Sequence, residues 1–168
     1  MTDPTIRARL ASTAEINEQE AVQLVNLINA AYGLHRDIFR EDRLDDVSHL
    51  YEELSEHPEN RVLLLYEGDE LIATVMVRPE AEALYIGLFA VALSRQGQGL
   101  GSTVLRMVEQ VARKQGLSRL RLHAVREIGN VTFYERRGFR VIAEKQRAAG
   151  DWGSVAPFIS AEMIKELQ

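Results

Sequence analysis

Apolar residues recur along the chain with two alternating periods. From Glu18 to Tyr32, residues Ala21, Val22, Leu24, Val25, Leu27, Ile28 and Ala31 share one broad helical face, which predicts an amphipathic helix closed by Gly33. Leu44, Val47, Leu50, Tyr51 and Leu54 repeat the pattern and predict a second helix, Leu44 to Leu54, stopped before Pro58. The period then changes. Arg61 to Tyr66 and Glu70 to Val77 are rich in β-formers and meet at Glu67-Gly68-Asp69, a hairpin signal. The apolar run Leu84 to Val91 predicts a buried strand, and Leu100, Val104, Met107, Val108 and Val111 then predict a helix from Gly99 to Gln115, ended by Gly116. Leu120 to Val125 reads as a strand, Val131 to Arg137 as a short helix and Phe139 to Arg147 as a strand. Gly150-Asp151-Trp152-Gly153 reads as a turn, and Phe158 to Leu167 as the last strand. Thr5 to Ala11 alternates weakly and supplies a first strand. The order is β-α-α-β-β-β-α-β-α-β-β. Hairpins beside a strand-helix-strand crossover predict an α/β (α+β) protein with a mixed sheet.

Composition narrows the class. At 168 residues, with no repeat, linker or low-complexity tract, one domain spanning 1–168 is expected. Hydrophobic content of 46% and charged content of 27% suit an ordinary globule, and no apolar run approaches the ~20 residues of a membrane span. Met1 to Arg9 holds no stretch of signal-peptide type. The absence of cysteine removes disulfides, thiolate nucleophiles and Cys-ligated metals, which suits a cytoplasmic protein. His35, His49, His57 and His123 show no metal-ligand spacing with carboxylates, so no metal is expected. The net charge of −5 argues against nucleic acid as a general partner.

The densest chemical signal lies between the buried strand and the long helix: Arg95-Gln96-Gly97-Gln98-Gly99-Leu100-Gly101, followed by Ser102. Glycines at alternate positions let the backbone approach a ligand and aim successive N–H groups outward. The first turn of the helix adds unpaired donors and the positive end of its dipole. A pyrophosphate is the usual occupant of such a turn. The triphosphate P-loop is excluded, because no Lys follows Gly99 or Gly101, and the dinucleotide turn G-x-G-x-x-G is met poorly, because position 102 is Ser. A glycine-rich strand-to-helix connection without a ligand is the plain alternative.

The third pattern, Gln/Arg-x-x-Gly-x-Gly/Ala, is met by Gln96, Gly99 and Gly101, and resembles the coenzyme A loop of the GNAT superfamily of N-acetyltransferases. Asn130-Val131-Thr132-Phe133-Tyr134-Glu135-Arg136-Arg137-Gly138-Phe139 resembles that family's later motif, a short helix carrying Tyr and closed by Gly-Phe. Asn130 is a suitable N-cap and Gly138 a suitable left-handed C-terminal residue. The resemblance implies a GNAT-type mixed, mostly antiparallel sheet with about four helices, in which the strands Leu84–Val91 and Leu120–Val125 splay apart around the pantetheine arm of acetyl-CoA. It implies that Phe89, Ala90 and Val91 hold pantetheine and the acetyl carbonyl through their backbone, and that Gln96, Gly97, Gln98, Gly99, Leu100, Gly101 and Ser102 bind the pyrophosphate. The resemblance also places the Tyr134 hydroxyl near the sulfur, where it is expected to protonate the leaving thiolate. Asn130 is a further cofactor contact, although relatives place the Asn seven residues before the Tyr, where this chain has Glu127.

The resemblance further implies an acetyl-CoA-dependent N-acetyltransferase with a primary amine acceptor, and a homodimer as a common assembly. Several relatives carry a Glu on the splayed strand as general base, and Tyr85 occupies that position here. A water relay, or a group from another element such as His123, must then take the proton; Glu82 stands at the strand's entrance. Tyr32, His35, Arg36, Asp37, Arg40, Glu41 and Trp152 are candidate walls of the acceptor pocket. Two other classes remain open: a non-catalytic acyl-CoA-binding or regulatory module, and a Rossmann-like nucleotide binder.

Overall fold

The computed structural model describes residues 6–168; Thr5, the predicted start of the first strand, lies outside them. The first strand, β1 (Ile6–Ser12), is followed by α1 (Glu18–Tyr32) and α2 (Val47–Ser55). An antiparallel meander, β2 (Arg61–Glu67), β3 (Glu70–Pro79) and β4 (Ala83–Val91), then leads through α3 (Leu100–Lys114) to β5 (Arg119–Val125). The chain closes with α4 (Asn130–Glu135), β6 (Arg140–Arg147) and β7 (Phe158–Glu166). The predicted order is reproduced throughout. Among the described residues, no helix is long and apolar enough to cross a membrane.

Local chemistry explains the element ends. Asn17 opens α1 by accepting the Glu20 N–H at 2.8 Å, while the Glu20 carboxylate accepts the Asn17 N–H at 3.2 Å, a reciprocal cap. Gly33 ends α1 at φ −75°, so its role is room and not handedness: a Cβ there would lie 2.8 Å from the Asn29 carbonyl oxygen. The second helix starts three residues later than its apolar pattern suggests. Asp46 caps it by accepting the His49 N–H at 2.9 Å, whereas Leu44 is bound to the Asn29 side chain through both its N–H and its carbonyl, each at 2.8 Å.

The seven strands lie in the order β1-β2-β3-β4-β5-β7-β6. Every pairing is antiparallel except β4 with β5. Two cores flank the sheet. One gathers Val104, Leu105, Val108 and Ala112 of α3 with Val131 and Tyr134 of α4; the other gathers Leu24 and Ile28 of α1 with Leu50 and Leu54 of α2. Each fully buried Val or Leu contributes roughly 1.5–3 kcal/mol.

β4 serves both cores through a bulge. Met76 pairs with Gly87 and Thr74 with Ala90, leaving Leu88 and Phe89 opposite Val75 alone. Leu88 takes φ 47°, which costs roughly 1–2 kcal/mol for a residue with a Cβ. The extra residue reverses the faces of the strand. Leu84 and Ile86 face α3, but Leu88 and Ala90 face α1 and α2, while Phe89 and Val91 turn toward α3.

Candidate active site

β4 and β5 pair only at Ala83–Arg119, Leu84–Leu120 and Tyr85–Arg121. Beyond Tyr85 the two strands part. β5 continues its ladder with β7 as far as Val125, so the β4 edge from Ile86 to Val91 faces the opening without a ladder partner among the described residues. The bulge at Leu88 and Phe89 lies on that edge. A buried strand edge with free N–H and C=O groups is a place for an extended polar chain.

At the far end of β4 the chain turns into the glycine-rich loop. Arg95 is tied to the Glu67 carboxylate, with Nη1 donating to Oε2 at 3.1 Å, and Gln96 donates its amide to the Val91 carbonyl at 3.3 Å. These contacts fix the start of the turn. Gly97 and Gly99 take φ 78° and 80°, and a Cβ at either would meet nothing within 4 Å. Among the described residues, none of the six backbone N–H groups from Gly97 to Ser102 donates to a protein acceptor; the first α3 bond outside the regular helix is Thr103 N–H to Gly99 carbonyl at 3.1 Å. Six successive free donors at a helix start form an anion cradle. Gly101 differs from the other two glycines. It is helical, and a Cβ there would lie 3.2 Å from the Phe133 ring and 3.7 Å from Phe89, so its smallness serves packing.

Behind the opening stand the aromatics of α4. Phe89 lies 6.4 Å from Tyr134 between ring centres, and Tyr134 lies 5.1 Å from Phe133 and 5.4 Å from Phe139. Burial holds the Tyr134 hydroxyl well above the ordinary phenol range, with the nearby Tyr32 phenol adding to the shift. Tyr134 is therefore a neutral donor throughout the neutral range. Asn130 does not cap α4, contrary to expectation. Gly129, at φ 81°, holds the cap position and no side chain closes the turn, because the left-handed glycine turns the backbone directly into the helix. Glu127, seven residues before Tyr134, accepts the Ile159 N–H at 3.0 Å and so anchors β7. Gly138 takes the expected left-handed conformation, φ 95°.

Arg137 carries no motif signal of its own, yet it joins the two halves of this face. Its Nε donates to Ser102 Oγ at 2.9 Å, its Nη1 donates to the Phe133 carbonyl at 2.7 Å, and its guanidinium lies 3.6 Å from the Phe133 ring centre. The two consecutive arginines before Gly138 were the sequence hint.

On the opposite face, toward α1 and α2, the opening is polar. Leu122 and Ala124 face the α3 core, so Arg121 and His123 face the other way. His123 Nδ1 lies 3.4 Å from the Tyr85 hydroxyl. The Tyr85 ring lies between two guanidinium groups, Arg78 and Arg121, each 4.7 Å from its centre. Arg121 binds Glu80 through Nε at 2.9 Å and Nη2 at 3.0 Å, and Glu162 at 3.2 Å. Trp152 stands over His123 with ring centres 6.4 Å apart, against Phe158 and beneath the Arg147 guanidinium. Burial lowers the pKa of His123, and Arg121 and Arg147 lower it further against the opposing pull of Glu162 and Glu80.

Of the expected wall residues, Tyr32 and Trp152 stand at this opening. Tyr32 leaves about a third of its surface exposed, 36%, yet desolvation of its hydroxyl end dominates and pushes it up to about 12. Tyr32 belongs to α1 and Tyr134 to α4, on opposite faces of the sheet. Arg36, by contrast, is bound to the Arg40 carbonyl and Asp42 within its own connector. Arg43, paired with Glu53 and close to Tyr32, was not foreseen.

Residues 28–139 match the family model described as the Acetyltransferase (GNAT) family. The chain belongs to the GNAT acetyltransferase family. A curated Bacillus subtilis (strain 168) protein that carries an acetyltransferase name is 23% identical over 119 residues, covering 70% of this chain and 80% of its own. A GNAT family acetyltransferase from Elizabethkingia anophelis, solved with acetyl-CoA bound, superposes with a TM-score of 0.67 at 17% identity, over 96% of this chain and 98% of that one. The ribosomal-protein-S18-alanine N-acetyltransferase of Escherichia coli superposes with a TM-score of 0.69 at 13% identity, over 96% and 95% of the two chains. At these identities the structures speak for the GNAT fold, and the family model for acetyl transfer.

Proposed function

We propose that this GNAT protein is an acetyl-CoA-dependent N-acetyltransferase that passes the acetyl group directly to a primary amine. One observation carries the reading: six unpartnered backbone donors, Gly97 to Ser102, lie at the end of a strand whose edge is open from Ile86 to Val91, with Tyr134 packed behind that edge. The acetyl-CoA bound to the Elizabethkingia relative and the alanine acetylation named for the Escherichia coli one support the two substrate classes.

In this reading the Gly97–Ser102 amides hold the pyrophosphate, with Arg137 and Gln96 flanking. The open β4 edge takes the pantetheine amides as an added strand would be taken. Backbone donors at Phe89 to Val91 hold and polarise the acetyl carbonyl, where oxyanion charge develops. The amine enters from the face of Tyr32, Tyr85 and Trp152, so the two reactants meet inside the parted strands with their approach fixed. Tyr134, kept neutral by burial, donates to the departing thiolate. No covalent enzyme intermediate is involved, since the chain has no cysteine and the amine attacks the thioester itself.

Calorimetric titration with CoA and with NADH, followed by thiol release from acetyl-CoA over a panel of amines, tests the reading. CoA binding without NADH binding, together with amine-dependent thiol release, is expected. The carboxylates nearest Tyr85 and His123, Glu80 and Glu162, are both engaged by Arg121, which favours a silent acyl-CoA-binding module as the second reading. Tight CoA binding without thiol release over any amine would decide for it.

A further inference from the structure

Resting on the transfer reading above, we propose that Tyr85 and His123 form the proton relay that deprotonates the acceptor amine. The Tyr85 hydroxyl meets the amine, and the His123 imidazole is the proton sink behind it.

Position carries the argument. Tyr85 and Arg121 form the last paired step of β4 with β5, so the Tyr85–His123 contact at 3.4 Å spans the point where the strands separate. Both side chains lie on the face toward α1 and α2, opposite the side from which Tyr134 approaches Phe89. Tyr85 therefore stands on the strand that leads to the backbone that would hold the acetyl carbonyl, four residues before Phe89, and the pair lies on the amine's side of the sheet.

The surrounding charges leave His123 as the free acceptor. Glu80 is held by two Arg121 contacts and stays ionised below its ordinary range, hydrogen bonding to Arg121 being the chief cause. Glu162 is engaged by the same guanidinium at 3.2 Å. A carboxylate bound to arginine is a poor base. The charged groups facing His123 are Arg121 on β5, Glu162 on β7, Arg147 on β6 and Glu80 between β3 and β4. Their balance, with burial, favours the neutral imidazole, and a proton once accepted is repelled by two arginines. His123 is nevertheless only partly covered and keeps exposed surface, so that proton has a path to solvent. With the ring proton on Nε2, Nδ1 is free to accept from the Tyr85 hydroxyl.

The step balances as follows. The amine lone pair forms the C–N bond to the thioester carbonyl carbon, which leaves a positively charged nitrogen with one strongly acidic proton to lose. That proton passes to Tyr85 Oη while the hydroxyl's own proton passes to His123 Nδ1. The C–S bond breaks, and the thiolate takes the Tyr134 proton. His123 releases one proton to solvent and Tyr134 regains one, leaving amide and CoA thiol. A weakly basic imidazole suffices because the nitrogen loses its proton only as the C–N bond forms.

The test uses Tyr85→Phe, His123→Gln and the double variant, assayed on the fastest of spermidine, tyramine, glycinamide and an alanine-initiated tripeptide. Each single variant is expected to lower kcat/KM by ~10²-fold, the low end for proton-transfer catalysis, and the double variant no further, because one relay is broken once. CoA affinity should stay within about threefold, a margin of roughly 0.7 kcal/mol. With kcat/KM expressed against the free-base amine, the wild-type acid limb should fall below pH 6.5, the ordinary histidine value, and vanish in His123→Gln. Multiplicative losses in the double variant, or an acid limb unchanged in His123→Gln, would overturn the relay. If no amine on the panel is acetylated, the transfer reading fails on its own. NMR titration of His123 in the CoA-bound protein then judges the pair: a neutral ring at pH 7 whose titration moves in Tyr85→Phe supports it, and a charged ring or an unmoved titration sinks it.

Discussion

Arg137 and Ser102 are joined by a 2.9 Å hydrogen bond from the guanidinium Nε to the hydroxyl, so the exit of α4 is fastened to the first turn of α3. The guanidinium meanwhile lies flat on Phe133, which orients it and leaves Nη2 without a hydrogen bond among the described residues. A cation held beside six free N–H groups is placed to meet a phosphate. Arg137→Ala should weaken CoA binding by about tenfold, roughly 1.4 kcal/mol, and should flatten the salt dependence of binding. Calorimetry at low and high salt reads both. Affinity and salt slope equal to wild type would leave Arg137 as a clamp between two helices.

The glycines of the loop separate by role. Gly99 has a positive φ and open space around it, so a side chain there would project into the cradle. Gly99→Val should abolish CoA binding, while Gln98→Ala should change it little, since the Gln98 amide only donates to the Ser94 carbonyl at 3.4 Å. Valine in the left-handed region costs roughly 1–2 kcal/mol, so circular dichroism must show that the variant is folded. A folded Gly99→Val that binds CoA as wild type does would remove the loop from the site.

The order of elements was legible because each apolar stripe kept one period for its whole length, and the turn before α3 was legible because glycines at alternate positions supply the positive φ found at Gly97 and Gly99. The bulge was not. In an unbroken apolar run such as Leu84–Val91, the reversal of faces at Leu88 leaves no trace in the pattern, since residues on both sides are apolar and at least half-buried. Asn130 shows the opposite failure. It is a good capping residue placed one position too late, behind a glycine whose left-handed backbone had already started the helix. Tyr85 with His123, and Arg137 with Ser102, are pairings across elements, separated by 38 and 35 positions. A local pattern holds no information about which side chains a sheet brings together.

Tyr134 tests the chemistry of the leaving group. Its hydroxyl is buried and raised in pKa, so it stays protonated across the working range and can donate to a thiolate. Tyr134→Phe removes one oxygen and keeps the contacts with Phe89, Phe133 and Phe139. Turnover should fall by ~10²-fold, with CoA affinity changed by less than about tenfold. Equal turnover on a verified amine would reduce Tyr134 to a packing residue.

Far from the opening, Glu20 makes acid stability a readable quantity. Its carboxylate accepts from Arg9 at 2.8 and 2.9 Å, from the Tyr66 hydroxyl at 3.0 Å and from the Asn17 N–H at 3.2 Å. The Arg9 bond is the largest influence, and together with the Asn17 and Tyr66 contacts it overcomes partial burial and lowers the pKa from 4.5 to about 2. A carboxyl depressed in the folded state stabilises the fold in full above its unfolded pKa and loses that contribution as pH falls toward the folded value. The window therefore runs from about pH 4.5 down to about 2. With Arg9 about half exposed, solvent screening reduces the effect to about 1–2 kcal/mol. Glu20→Gln should lower stability at pH 7 and flatten its decline across that window, while Arg9→Ala should act in the same direction by removing the largest influence that lowers the carboxyl. Urea unfolding at pH 7, 4.5 and 3 measures the slope directly. An acid decline in Glu20→Gln as steep as in wild type would move the titrating group elsewhere and leave the α1 cap as Glu20's whole contribution.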